Sequence, residues 1–147
     1  MAGNTITAAD AVYTLVIDDL YPSGVVLHGF SADNVYSTND LQLAETVLGV
    51  DGYLSAGFVF NSVQQTISIM PDSESWDVFE TWQNTSVAAV AVFRCSATVT
   101  LPAIKKKYVH INGVLRTWKA LPDAAKTLQP GQATIEWQKI VGEVYGV

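Results

Sequence analysis

The chain has 147 residues, 49 % of them apolar and only 15 % charged, which excludes a disordered tail and gives enough material for a sizeable core in one domain spanning 1–147. Fourteen acidic residues against eight basic ones leave a net charge of −6, a poor balance for binding phosphates through Lys and Arg. Met1-Ala2-Gly3-Asn4 shows no basic segment leading into an apolar one, so no secretory signal is expected. No apolar run approaches the ~18 residues of a membrane helix. The single cysteine, Cys95, cannot form an internal disulfide. A soluble protein made in a reducing cytoplasm is the expectation, and the sequon at Asn84 then carries no weight.

Alternation of apolar and polar residues dominates the chain and predicts strands with one buried face. In chain order, Val12–Ile17 and Gly24–Phe30 read as strands joined through the turn formers of 18–24. Residues 31–50 form a long connection rich in apolar side chains. Within it, 39–49 reads by local rules as a short helix, with Leu41, Ala44 and Leu48 at helical spacing and Gly49 as a stop. Asp51-Gly52 separates the next pair of runs. Gly57-Phe58-Val59-Phe60 resembles an aromatic base-stacking strand, but it lacks flanking basic residues, so a core strand is expected. Thr66–Met70 alternates with Ile67 and Ile69 inward. After Pro71 the pattern changes period: Trp76, Phe79 and Trp82 lie three apart, predicting a helix over about 73–84 that packs these rings on the sheet.

Residues 90–101 alternate again and predict a long strand stopped by Pro102. Asn112-Gly113, between two alternating runs, is the strongest short-range hairpin signal of the chain. Ala133, Ile135 and Trp137 close the pattern as a last strand. The sum is a mainly β fold, an antiparallel sandwich or barrel of about seven or eight strands with one flanking helix.

No residues assemble into a catalytic pattern, and the chain is not expected to be an enzyme or to hold a cofactor. Asp18-Asp19 lacks the spaced oxygen ligands and glycine turn of a calcium loop and reads as a solvated turn. His28 and His110 have no ligand partners at zinc spacing. Cys95 reads as a small buried hydrophobe. Lys105-Lys106-Lys107, the one basic cluster, is read first as a solvated strand end and next as an inter-subunit salt contact.

The stretches "VLGVDGYLS", "TISIMPDSESWDVFETW" and "ALPDAAKTLQPGQATIEWQKI" together resemble the tail tube proteins of long-tailed bacteriophages, contractile-tailed ones among them. The likeness runs from about residue 10 to 140 and rests on patterned positions rather than an invariant motif. The resemblance implies a β-sandwich or barrel with one helix, assembling into stacked hexameric rings that form the hollow tail tube through which DNA passes without being read. It implies a virion protein assembled in the host cytoplasm, with itself as main partner and sheath, baseplate and terminator proteins as others. It also implies an extended arm at about 31–50, against the local helix reading, with Val35, Tyr36, Leu41, Leu43, Val47 and Leu48 as contacts between subunits or rings. A lumen that repels phosphate would draw on some of Asp18, Asp19, Asp33, Asp40, Asp51, Glu136 and Glu143. Two other readings stay open: a tube or terminator component of a related injection machine (type VI secretion or a tailocin), and a monomeric β-sandwich that binds a ligand.

Overall fold

The computed structural model describes residues 11–30 and 35–144. Asp33, one of the expected lumen acids, lies outside them. Nine strands and one long helix appear among the described residues: β1 Val12–Ile17, β2 Tyr21–Val26, β3 Tyr36–Thr38, β4 Ala44–Leu48, β5 Leu54–Phe58, β6 Val63–Ile69, α1 Glu74–Ala89, β7 Arg94–Leu101, β8 Lys106–Trp118 and β9 Gly131–Val144. Seven strands form one antiparallel sheet in the order β2-β1-β7-β8-β9-β6-β3, while β4 and β5 pair only with each other. The mainly β, antiparallel, one-helix fold is the one the alternation predicts.

The large sheet curls until its flanks meet. After β2 the chain leaves β1, where the Leu27 amide donates to the Tyr13 carbonyl at 2.8 Å. It then crosses to β6, where Phe30 bridges Ile69 and the Met70 amide donates to the Gly29 carbonyl at 2.8 Å. This crossing strap links β1 to β6 and so closes β1-β7-β8-β9-β6 into a barrel, with β2 and β3 left as the outer edges. Gly29 is required in the strap: it has φ 69°, and a Cβ there would fall on Ser73.

The alternating residues fill the interior. Leu15, Ile17, Ile67, Ile69, Cys95, Ala97, Val99, Ala133, Ile135 and Trp137 are buried. The helix corks one end of the barrel, with Trp76, Phe79 and Trp82 buried and Trp118 of β8 stacked against Phe79 at 5.1 Å between ring centroids. Its start is fixed by Ser73, whose hydroxyl oxygen accepts from the Ser75 amide at 3.1 Å and whose O–H donates to the His28 carbonyl at 2.6 Å. Glu74 and Asp77 in the first turn suit the helix dipole.

Five expectations change. The second strand runs over Tyr21–Val26 instead of Gly24–Phe30, and 27–30 form the strap. The helix runs on to Ala89 instead of stopping near 84, because Val87-Ala88-Ala89 continue it until Val90 turns left-handed with φ 50°. The following strand therefore starts at Arg94, not 90. Asn112-Gly113 is no hairpin. It lies inside the continuous strand β8 as a bulge, where Cys95↔Gly113 gives way to Ala97↔His110. Asn112 takes φ 50°, and Gly113 leaves the space that the Trp137 ring occupies. Both residues tolerate positive φ, which suits a bulge as well as a turn. The Gly57–Phe60 run is not a core strand either. Gly57 and Phe58 end β5, and Phe58 and Phe60 are exposed.

Candidate assembly surface

The hairpin β4–β5 is the arm. Its register runs from Ala44↔Phe58 to Leu48↔Leu54, extended at the base by the Val59 amide donating to the Leu43 carbonyl at 3.2 Å. The loop 49–53 is held by Gly49 N–H to the Tyr53 carbonyl at 2.8 Å and Tyr53 N–H to Asp51 Oδ1 at 3.1 Å. Strand pairing thus defeats the local helix signal of 39–49, because Asp51-Gly52 supplies the turn and β5 the partner. Every residue of both strands is exposed. Leu43, Val47, Leu48, Tyr53, Leu54 and Phe58 are each 58 % exposed or more, far more apolar surface than a solvated loop carries.

The six side chains expected on the arm divide between two places. Leu43, Val47 and Leu48 lie on it and Leu41 stands at its base. Val35 and Tyr36 belong to the barrel: the Val35 carbonyl accepts from the Ser68 amide at 3.1 Å, Tyr36 pairs with Ile67 in β3, and its ring meets the Tyr13 ring at 6.0 Å. The arm therefore begins later than residue 31 and extends past 50 into β5. Tyr53, Leu54, Phe58 and Phe60 were missed, although Asp51-Gly52 marks a turn whose second strand had to lie beyond it. A second exposed apolar strip, Val87, Val90 and Val92, lies at the C-terminal end of the helix and just beyond it.

The acidic residues expected to share a lumen are scattered. Asp18 and Asp19 occupy the β1–β2 turn, Asp40 precedes the arm and Asp51 is at its tip. Glu136 is engaged by Arg116 at 2.8 Å and Glu143 faces Lys107 at 3.7 Å, so both have a cation within the subunit. Glu74, Asp77 and Glu80 form a further acidic row on the outer face of the helix, absent from the expected set. Among the described residues no group of His, Cys, Asp and Glu could hold a metal ion, and no helix is long and apolar enough to cross a membrane.

Opposite the helix the barrel is open. A cavity of about 430 Å³ lies at this mouth, walled by Val63, Val99, Leu101 and Ile140, with Gln65 and His110 among its polar lining. Gln65 is the centre of a buried polar cluster that the alternation hid. Its Oε1 accepts from the Tyr13 hydroxyl at 2.6 Å and from the Trp137 indole N–H at 3.1 Å. Indole is a donor only, so the carbonyl end of Gln65 must face inward, leaving its NH₂ as a donor with no partner among the described residues. Burial pushes the His110 imidazole down to about 4, so it is neutral near pH 7. Burial likewise pushes the Cys95 thiol up to about 12, with Asp18 adding to the shift, which makes it an inert core side chain.

The family model described as tail fiber protein gp32 matches residues 4–141. No curated protein is similar in sequence. Among solved structures, a chain of the anti-feeding prophage baseplate, from a six-fold symmetrised cryo-EM reconstruction, superposes with a TM-score of 0.61 at 11 % identity, covering 100 % of both chains. A chain of the sheath/tube terminator of the extracellular contractile injection system PVC gives 0.60 at 13 % identity, over 98 % of this chain and 100 % of that one. One of the anti-feeding prophage tube-terminating cap gives 0.56 at 12 %, over 98 % and 94 %. These likenesses concern the fold, whereas the family match covers nearly the whole sequence: the chain belongs to the tail fiber protein gp32 family and is a phage tail-like protein.

Proposed function

We propose that this chain is a structural subunit that assembles head to tail into six-membered rings, and that the rings stack into the hollow tube of a phage tail. The observation that carries the reading is the arm, a paired hairpin with both strands exposed and apolar, standing off a barrel that is complete without it. A chain that keeps such a surface ordered and unburied is built to bury it against another molecule. The barrel's outer edges, β2 and β3, are free to pair across a subunit boundary, the heterologous contact that closes into a ring when the rotation fits. The fold also occurs in chains of a six-fold symmetrised baseplate, a sheath/tube terminator and a tube cap.

In such a tube DNA passes without being read. Asp18, Asp19 and Asp40, which have no ion pair among the described residues, are the acids best placed to repel phosphate, more so than Glu136 and Glu143 with their intramolecular cations. Sheath, baseplate and terminator proteins are the further partners, and the reading assigns no catalytic step and no cofactor. A tube terminator is the second reading, favoured by the two terminating structures that share the fold. Negative-stain microscopy of concentrated protein separates them: open-ended tubes support a tube subunit, single rings a terminator, and a monomer at every concentration overturns both.

A further inference from the structure

We propose that the open mouth of the barrel is the socket for the arm tip of a second copy, with Tyr53 entering the cavity and Asp51 meeting Lys105 and Lys106 at its rim; the proposal rests on the head-to-tail assembly described above.

The socket has the two qualities that a tyrosine needs. Its walls combine the aliphatic Val63, Val99, Leu101 and Ile140 with the rings of Tyr36 and Tyr108, and its lining includes a buried amide whose NH₂ has no partner among the described residues. Tyrosine brings an apolar ring with a polar end, and its oxygen finds a partner when buried. Protein interiors are close-packed, so a cavity of about 430 Å³ at the end of a core is a place to be filled. Tyr53 is 72 % exposed on a tip that Asp51 Oδ1 holds in shape, so little order has to be gained on docking.

Charge points the same way. Between residues 42 and 60 the only charged side chains are Glu45 and Asp51, both acidic. At the mouth, Lys106 pairs with Leu101 of the cavity wall and Lys105 takes the left-handed turn (φ 55°) just before it. Both are exposed and neither has an ion pair among the described residues, unlike Lys107 with Glu143. This finds a partner for Lys105 and Lys106, which have no ion pair among the described residues.

An arm that fills the socket has to come from a second copy. Leu41, at the base of the arm, already lines the mouth. The hairpin is paired along its whole length, and five residues at ~3.3 Å each hold the tip about 16 Å from that base. It cannot fold back into its own socket without breaking its pairing.

The test is assembly of purified full-length protein, followed by sedimentation and electron microscopy, with circular dichroism as the control for folding. Asp51→Lys alone, and Lys105→Asp with Lys106→Asp alone, should each raise the concentration needed for assembly about tenfold or more. Tyr53→Ala should do the same while leaving the fold intact. Mixing the two charge-reversed proteins should restore assembly, since each arm then fits the other's socket and neither fits its own kind. Wild-type protein that never assembles removes the ring reading and the socket with it. Wild-type assembly left unchanged by Tyr53→Ala and by Asp51→Lys, or two charge-reversed proteins that do not rescue each other, removes the socket alone.

Discussion

The barrel strand β9 and the arm strands β4 and β5 are built from similar material and meet opposite fates. In β9, Ala133, Ile135 and Trp137 are fully buried between β8 and β6. In the arm, Leu48, Leu54 and Phe58 are equally apolar and exposed. Apolar patterning in extended chain therefore reports that a face needs covering, without saying whether this molecule or another covers it. The barrel closes on itself because the strap at 27–30 reaches β6. Among the described residues the arm strands pair with no strand of the barrel.

The largest expected contrast in stability follows from this. Trp137→Ala removes a fully buried ring and a hydrogen bond to Gln65, and should cost about 3–5 kcal/mol. Phe58→Ser, on the arm, should stay within about 0.5 kcal/mol. Chemical denaturation of both variants measures the contrast, and a similar loss in each would mean that the arm belongs to the core.

The buried polar cluster sharpens the same comparison through pH. His110 has its imidazole lowered to about 4 in the fold against an ordinary value of 6.5. Between these values the unfolded chain binds the proton and the folded one does not. Stability is therefore fully present above about pH 6.5 and falls as the pH drops toward 4, by up to about 3 kcal/mol. His110→Phe should flatten that slope, and an unchanged slope would assign it to the carboxylates.

Gln65→Leu should cost about 1–3 kcal/mol, because it strands the Tyr13 hydroxyl and the Trp137 N–H together in the interior. Thermal melts check this, and a neutral effect would mean that the two donors find other acceptors.

What the sequence disclosed, and what it withheld, follows the range of the physics involved. The interior of β6, β7 and β9 and the aromatic face of α1 were legible, since period and side-chain type are local. Asn112-Gly113 was misread because a bulge and a hairpin both call for positive φ at Asn112, and only the register with β7 separates them. Gly57–Phe60 was taken for core because apolar residues in extended chain default to burial, and nothing local marks a hairpin without a sheet behind it. Gln65 carries no local sign of its burial: its partners Tyr13 and Trp137 lie 52 and 72 positions away. The arm was anticipated but set too early, since Val35 and Tyr36 carry the same apolar signature while belonging to the edge strand β3.

That boundary decides the outcome of the last experiment. Replacing residues 35–47 with a short Gly-Ser linker would remove β3 together with half the arm. Tyr36 would then no longer cover Tyr13, and the barrel would lose an edge strand. Replacing 44–58 instead deletes the hairpin alone. Neither of its strands pairs with the barrel, and all of their residues are exposed. The unfolded chain also loses little, because lengthening or shortening a surface loop changes its closure entropy only slowly. The variant should therefore fold with a melting temperature close to that of the full chain and remain monomeric where the full chain assembles, a separation that light scattering and a thermal melt read on the same sample. Tubes formed without the hairpin would show the arm to be dispensable for assembly. A variant that fails to fold would show that the barrel depends on the hairpin after all, and the division between a self-sufficient barrel and an arm made for a partner would fall.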